Sequence, residues 1–249
     1  MCGRYSLTSA AYEQFLDSLK GRFAESVISR APDRFNIAPM QPIPVIRLKG
    51  SDQDQAIRVD QDLPEKEIAL MQWGLVPSWA KQMTVGRPLI NARSETIAVK
   101  PSFRGPFRRR KCLVPADGFY EWQRANRTVP PVPYYACRMD GRAFAFAAIW
   151  EIWMGPHGED WLESVSLITK AAIPAMKPVH HRSPVILDPE DYDLWLRPAD
   201  PPDMNIFQKL ATRTDRQLKI FPVSDFVNNA RHDGPECIRS AKGSQFSLF

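Results

Sequence analysis

Apolar residues recur at helical spacing near the start of the chain. The positions that share one helical face are Tyr12, Phe15, Leu16, Leu19 and Phe23. Thr8 or Ser9 can cap the start of such a helix, and Gly21 lies near its expected end. The pattern therefore predicts an amphipathic helix in this region.

Shorter stretches, rich in Val, Ile, Phe and Tyr and alternating between apolar and polar positions, predict β-strands. They lie at 44–48, 67–75, 111–122, 133–139, 142–150, 164–169 and 218–224. A helix is predicted over 188–196, with Asp188 as its cap and Pro189 at its first position. The polar stretch 49–66 is typical of an exposed hairpin or loop. Because strands outnumber helices and no linker divides the chain, we expect one α+β domain over residues 1–249. Its core would be a mostly antiparallel, barrel-like β-sheet with peripheral helices.

Composition narrows the class of protein. The chain has 249 residues, of which 44% are hydrophobic and 24% charged, as in ordinary globular proteins. No run approaches the roughly 18 apolar residues of a membrane helix, and no basic-then-apolar leader is visible. A cytoplasmic location without membrane association is expected, with nucleoid association if the protein is bacterial. The four cysteines form no C-x-x-C pair, so neither a metal site nor another cofactor is predicted.

The net charge of +5 is modest, but one stretch concentrates basic residues. Residues 103–111 read FRGPFRRRK and combine five basic side chains with Phe103 and Phe107. Basic clusters with aromatic side chains suit a phosphate backbone and exposed bases. A solvated basic loop explains the same stretch equally well.

Four internal segments carry candidate chemistry. Asn91 lies in RPLINARSET, which follows an apolar strand end and would open a helix. Glu121 lies between Tyr120 and Trp122, where poor solvation would favour its protonated form. His180 lies in a short loop before a strand, and histidine is the usual proton shuttle near neutral pH. The fourth segment, WGLVPSWA, contains Trp73 and Trp79. Taken singly, each residue also fits a structural role: a turn cap, an ion pair, a structural histidine or core packing.

Cysteine follows the initiator methionine directly, in MCGRYS. Once Met1 is removed, Cys2 carries a free α-amine and a thiol on adjacent carbons. An internal cysteine offers no such pair of nucleophiles.

Seven motifs in this order resemble the SOS-response-associated peptidase (SRAP) family over almost the whole chain. They are MCGRYS, NIAPMQ (36–41), WGLVPSWA (73–80), NARSET (91–96), RRKCLVPADGFYEW (109–122), HHRSPVIL (180–187) and VNNARHDGPECI (227–238). One departure is Ser183, which stands where many family members have methionine before the proline. The departure concerns local packing rather than chemistry.

The resemblance implies roles for individual residues. The covalent residue of the family falls on Cys2, and its other catalytic positions fall on Asn91, Glu121 and His180. The family's phosphate-binding arginines correspond to Arg4, Arg93 and Arg182. Beside the resemblance, Trp73, Trp79 and Trp122 are expected to stack on bases or to wedge a duplex open.

The resemblance also implies a function. Family members bind an abasic site in single-stranded DNA and join to it covalently. For this chain the expected product is a thiazolidine between the opened sugar and Cys2. In this interpretation Glu121 assists proton transfer, His180 protonates the sugar oxygen, and Asn91 binds the amine or a sugar hydroxyl. An AP-lyase side reaction and removal of Met1 by the chain itself are further expectations, and a monomer is expected.

Two other functions are compatible with the same residues. One is an N-terminal-nucleophile hydrolase, a protease or amidase that uses Cys2 with His180 as its base. The other is a passive nucleic-acid-binding module that uses only the arginines and tryptophans. It predicts strong salt dependence and no role for Cys2.

Overall fold

The computed structural model describes residues 2–19, 31–50, 65–83, 88–124, 128–199, 201–213 and 218–241. Within these residues the helices are α1 (Ser9–Ser18), α2 (Pro101–Arg109), α3 (Tyr192–Leu196) and α4 (Met204–Arg213). The strands are β1 (Tyr5–Leu7), β2 (Arg34–Ile37), β3 (Pro42–Leu48), β4 (Lys66–Trp73), β5 (Asn91–Arg93), β6 (Lys111–Ala116), β7 (Gly118–Gln123), β8 (Val132–Arg138), β9 (Phe144–Trp153), β10 (Leu162–Ala171), β11 (Arg182–Pro184), β12 (Ile186–Leu187) and β13 (Leu218–Pro222). None of the helices in the described ranges combines the length and apolar content that crossing a membrane requires.

Five strands close into a barrel. Going around it, β10 pairs with β4, β4 with β3, β3 with β6, β6 with β9, and β9 returns to β10. All of these pairings are antiparallel except β10–β4, which is parallel. Strand β5 also pairs in parallel with β10, next to β4. The predicted α+β class with a mostly antiparallel, barrel-like sheet is confirmed.

A second, antiparallel sheet has the order β13-β8-β7-β1-β2. It packs on the barrel through aromatic side chains. Phe146 of β9 contacts Tyr5 of β1 and Phe119 of β7 edge to face, with ring centroids 5.8 and 6.0 Å apart. All three rings are fully buried, so both sheets share one hydrophobic core.

The first predicted helix is confirmed as α1. Thr8 is its N-cap and accepts a hydrogen bond from the Ala11 amide at 3.4 Å. Tyr12 and Phe15 are buried, as the periodicity predicts. The helix ends at Ser18, before the predicted position Leu19, whose backbone is extended. Gly21, Phe23 and residues 51–64 of the polar stretch lie outside the described residues.

The predicted strands over 44–48, 67–75, 133–139, 142–150, 164–169 and 218–224 correspond to β3, β4, β8, β9, β10 and β13. The stretch 111–122, predicted as one strand, is instead two strands that belong to different sheets. The chain changes sheet at Asp117, whose carboxylate accepts hydrogen bonds from the Thr8 amide and hydroxyl at 2.8 Å. Gly118 follows because the Tyr135 ring fills the space that a Cβ would need.

The solvated loop that the basic stretch 103–111 also allowed is not present, because Pro101–Arg109 form helix α2, with Phe103 and Phe107 buried. One local prediction is wrong. Asn91 does not open a helix. It begins strand β5, because its neighbours pair with β10 in the register Leu167↔Asn91.

The helix predicted over 188–196 begins as a 3-10 turn at Pro189–Asp191 and continues as α3. Asp188 occupies the position before the turn but makes no side-chain cap. Its carboxylate instead accepts a hydrogen bond from Arg138 at 2.6 Å. An ion pair to a distant strand thus takes the place of the expected cap.

The shared aromatic core leads to a stability prediction. We expect Phe146→Ala to lower the free energy of unfolding by about 3–5 kcal/mol, because it removes the ring between the sheets. Urea denaturation measures the change. Trp161→Ala is the control, since Trp161 is 61% exposed. A Phe146→Ala loss no larger than that of the control would contradict this account of the core.

Candidate active site around Cys2

Cys2 is fully buried in the short segment that leads into β1. Its Sγ donates a weak hydrogen bond to the Arg4 carbonyl oxygen at 3.8 Å. The Asn91 side-chain amide donates to the Cys2 carbonyl oxygen at 2.8 Å. Since β5 is fixed by its pairing with β10, Asn91 ties the start of the chain to the edge of the barrel.

Glu121 lies on β7 and is only 3% exposed. Burial raises the pKa of its carboxyl above the ordinary value. Burial also raises the pKa of the Cys2 thiol strongly, and the charge of Glu121 raises it further. Glu121 and Cys2 are therefore electrostatic neighbours, and both favour their protonated forms.

His180 completes the group. Its Nδ1 lies 3.8 Å from Oε1 of Glu121 and accepts a hydrogen bond from the Arg182 amide at 3.0 Å. Burial lowers the pKa of His180 to about 4. The imidazole is therefore neutral at pH 7, and the shorter contact with the Arg182 amide favours the tautomer that carries its proton on Nε2.

Asn91 has a second polar atom in the site. Its Oδ1 is buried and has no hydrogen-bond partner among the described residues. A buried acceptor without a partner is costly. This oxygen is therefore suited to accept a hydrogen bond from a reacting amine or hydroxyl.

The structure thus brings together the four residues predicted to be catalytic. A hydrogen bond links Cys2 to Asn91, and an electrostatic interaction links Cys2 to Glu121. His180 lies beside Glu121. The group contains two nucleophiles on one residue once Met1 is gone, together with proton donors and acceptors. No set of three or more His, Cys, Asp or Glu side chains in the described part of the chain could hold a metal ion.

Arg4 lies next to this group but is engaged within the protein. Its Nη1 donates to Asn36 Oδ1 at 2.9 Å and to the Val227 carbonyl at 3.1 Å. Its guanidinium lies 5.8 Å from the centre of the Trp122 ring. Trp122 in turn donates from Nε1 to Asn228 at 2.7 Å. Arg4 and Trp122 therefore anchor the segment around 227–228 beside the site.

Asn36 is a residue of this region that sequence reasoning missed. It is fully buried, and its amide donates to three carbonyl oxygens of one segment at 2.8–3.2 Å. Those oxygens belong to Val227, Asn229 and His232. The motifs NIAPMQ and VNNARHDGPECI were visible in the sequence, but nothing there shows that they contact each other.

The other two predicted phosphate-binding arginines differ in position. Arg93 is exposed at the end of β5. Arg182 is 8% exposed and holds both oxygens of the Glu95 carboxylate and the Thr169 carbonyl, the last at 2.7 Å. This pairing lowers the pKa of Glu95 to about 2. The guanidinium of Arg182 is committed to internal contacts, so the placement does not favour a phosphate contact.

The tryptophans also differ. Trp73 is fully buried, packs edge to face on Tyr5 at 5.4 Å, and donates to the Ile90 carbonyl at 3.0 Å. The expectation that Trp73 stacks on a base therefore gives way to a core-packing role. Trp79 is 65% exposed, and its ring faces solvent.

The chain is similar in sequence to known proteins. The family model described as "SOS response associated peptidase (SRAP)" matches residues 1–230. The abasic site processing protein YoqW of Bacillus subtilis is 34% identical over 247 residues, which cover 96% of this chain and all of that protein. The abasic site processing protein HMCES of Gallus gallus is 31% identical, over 82% of this chain and 65% of that protein.

Solved structures agree on the fold. A Bacteroides thetaiotaomicron protein superposes with a TM-score of 0.72 at 23% identity, covering 96% of this chain and all of the other. A phage-related protein from Bordetella bronchiseptica gives a TM-score of 0.63 at 26% identity, covering 89% of this chain and 94% of the other. From the family model and the sequence relatives, we conclude that the chain belongs to the SRAP family.

Proposed function

We propose that this protein processes abasic sites by joining covalently to single-stranded DNA through Cys2, after Met1 has been removed. The observation that carries the proposal is the placement of Cys2, buried, held by Asn91 and adjacent to Glu121. The names of the relatives, which are abasic site processing proteins, point to the same substrate.

The first step is attack of the Cys2 α-amine on the aldehyde carbon of the opened sugar. An α-amine has a pKa of about 8, so a useful neutral fraction exists at pH 7. A C–N bond forms, and the resulting carbinolamine loses water to give an imine. Glu121 can donate the proton that leaves with the hydroxyl group, because burial raises the pKa of its carboxyl.

The second step is ring closure. The Cys2 sulfur adds to the imine carbon, and the thiol proton ends on the nitrogen, so the product is a five-membered thiazolidine. The thiol and the imine belong to the same residue, which gives the step the advantage of an intramolecular reaction. Burial of Cys2 also limits the access of water that would hydrolyse the imine.

Asn91 and His180 serve these steps in different ways. Asn91 fixes the main chain of Cys2 through Nδ2 and offers Oδ1 to the amine or to a sugar hydroxyl. His180 is neutral with its proton on Nε2, as its low pKa and the Arg182 contact indicate. We assign this proton to the sugar oxygen that is released when the ring opens.

The protein would bind the DNA strand without recognising its base sequence. Arg93 is exposed next to Asn91 and is positioned for a phosphate contact. Exposed Trp79 offers a surface on which a base can stack. Neither contact distinguishes one base from another, as a lesion-binding protein requires.

The hydrolase alternative has less support. A nucleophilic cysteine in a hydrolase needs a lowered thiol pKa. Burial, and then Glu121, raise the thiol pKa of Cys2. The site therefore favours a reaction in which the amine attacks first and the thiol adds afterwards.

Two side activities belong to the same proposal. An imine at the abasic sugar acidifies the neighbouring carbon, so β-elimination, an AP-lyase reaction, is accessible from the intermediate. The family description also names a peptidase, and removal of Met1 by the chain itself is the peptidase reaction that this site would need.

The aminothiol mechanism predicts distinct effects of replacing Cys2. Cys2→Ala keeps an α-amine but has no thiol, so we expect it to lose the denaturation-resistant adduct with abasic single-stranded DNA. A weaker adduct should still be trapped by borohydride. Gel electrophoresis after denaturation measures both products. Cys137→Ala is the matched control and should crosslink like the wild type.

An equally strong untrapped adduct from Cys2→Ala would contradict the thiazolidine. A tag left before Cys2 blocks the α-amine and should abolish crosslinking, while noncovalent binding of the same DNA persists. Full crosslinking by the tagged protein would rule out the amine as the nucleophile.

Glu121 is expected to control the rate of adduct formation. We expect Glu121→Gln to slow crosslinking by about 100-fold or more, since it removes a positioned acid and base. Quenched time courses measure the rate. Binding of an oligonucleotide with a tetrahydrofuran abasic analogue, which has no aldehyde, should be retained. Unchanged rates in Glu121→Gln would contradict its role in proton transfer.

His180 gives a pH prediction. Its pKa is about 4 in the folded protein, against an ordinary value of 6.5. The folded state therefore binds fewer protons than the unfolded state between these values, so stability falls as the pH drops from 6.5 towards 4. NMR titration of labelled histidine should show a resonance with a midpoint near 4 that is absent in His180→Gln. A midpoint at the ordinary value would contradict the lowered pKa of His180.

A further inference from the structure

A cleft of about 690 Å³ lies away from Cys2, between α2, the loop at 77–79 and the end of β9. Neither Cys2 nor Asn91, Glu121 or His180 lines it. The cleft is therefore separate from the group around Cys2. Trp79, to which the proposed function gives a stacking role, lies on its wall.

Helix α2 gives the cleft its basic wall. Phe103 and Phe107 point into the core. Arg104 and Arg108 follow one residue later on the helix and line the cleft. Because positions four apart share a helical face, these two guanidinium groups lie on the same side. Arg104 is exposed.

Among the described lining residues, basic side chains outnumber acidic ones. The basic residues are Arg104, Arg108, Arg109 and Arg110, and the acidic residue is Glu151. Glu151 already accepts a hydrogen bond from Arg110 at 2.6 Å. The cleft is therefore suited to an anionic ligand with several charged groups.

Two exposed indoles flank the arginines. Trp79 is 65% exposed and Trp161 is 61% exposed, and both line the cleft. The loop that carries Trp79 is fixed, since the Ala80 carbonyl accepts a hydrogen bond from Trp153 at 2.7 Å. Aromatic faces beside a basic groove are the combination that binds single strands by stacking and phosphate contact.

We propose that this cleft is a second binding site for single-stranded nucleic acid, occupied by an undamaged part of the strand. Its phosphates contact the arginines of α2, and its bases stack on Trp79 and Trp161. The inference rests on the proposed function for the identity of the strand as DNA. It extends the DNA footprint beyond the residues that surround the lesion.

The test compares undamaged oligonucleotides of two lengths by fluorescence anisotropy, about six and about twenty nucleotides. The wild type should bind the long strand more tightly than the short one. Arg104→Glu and Trp161→Ala should each reduce the ratio of the affinity for the long strand to that for the short strand by roughly fivefold or more. Arg104→Glu should also reduce the salt dependence by about one phosphate contact.

Arg142→Glu is the matched control. It makes the same charge change at an exposed residue just before the opposite end of β9, and it should retain the advantage of the long strand. Equal losses from Arg104→Glu and Arg142→Glu would overturn the proposal, because net charge alone would then explain them. Binding of inorganic phosphate or a mononucleotide at the cleft, with no length effect in the wild type, would also overturn it.

Crosslinking separates this inference from the proposed function. A short abasic oligonucleotide should still crosslink to Arg104→Glu at the wild-type rate, because the cleft does not contain Cys2. If the wild type forms no adduct with abasic DNA but still binds the long strand more tightly, the crosslinking proposal fails and the proposal for the cleft still stands. If the wild type crosslinks but shows no length effect, the cleft proposal fails alone.

Discussion

The hydrogen bond from Asn91 to the carbonyl oxygen of Cys2 is the contact on which the site depends. The first residues of a chain are normally poorly ordered, because the chain holds them from one side only. Here Asn91 is fixed by the parallel pairing of β5 with β10, and Tyr5 and its neighbours pair with β7. Residue 2 is thus held between the barrel and the second sheet, where Glu121 of β7 and His180 also lie.

Burial has a common effect on the ionisable groups of this site. It raises the pKa values of the Cys2 thiol and the Glu121 carboxyl and lowers that of His180. All three shifts favour neutral forms, in which the thiol and the carboxyl carry protons and the imidazole can donate from Nε2. Such a site is poorly suited to a permanent thiolate and well suited to imine chemistry, in which protons move at every step.

Strand patterns and motif resemblance are local signals, so the sequence predicted the barrel-like α+β class and the grouping of Asn91, Glu121 and His180 with Cys2. It could not show that Trp73 is buried while Trp79 is exposed, since both lie in one short motif and only tertiary packing distinguishes them. The internal pairing of Arg182 could not be predicted for a similar reason. Its partner, Glu95, is 87 residues away in the chain. Helix α2 was hidden because Gly105, Pro106 and the arginines obscure the two apolar positions that face the core.

Intact-mass spectrometry of the protein after incubation with an abasic oligonucleotide tests the central claim most directly. The account predicts a species equal to the chain without Met1 plus the oligonucleotide minus one water, with the modification on Cys2. An imine and a thiazolidine have this same mass, but borohydride adds two hydrogens only to the imine. An adduct whose mass is unchanged by borohydride supports the thiazolidine. An adduct that retains Met1, gains two hydrogens, or is attached to another residue would contradict the account.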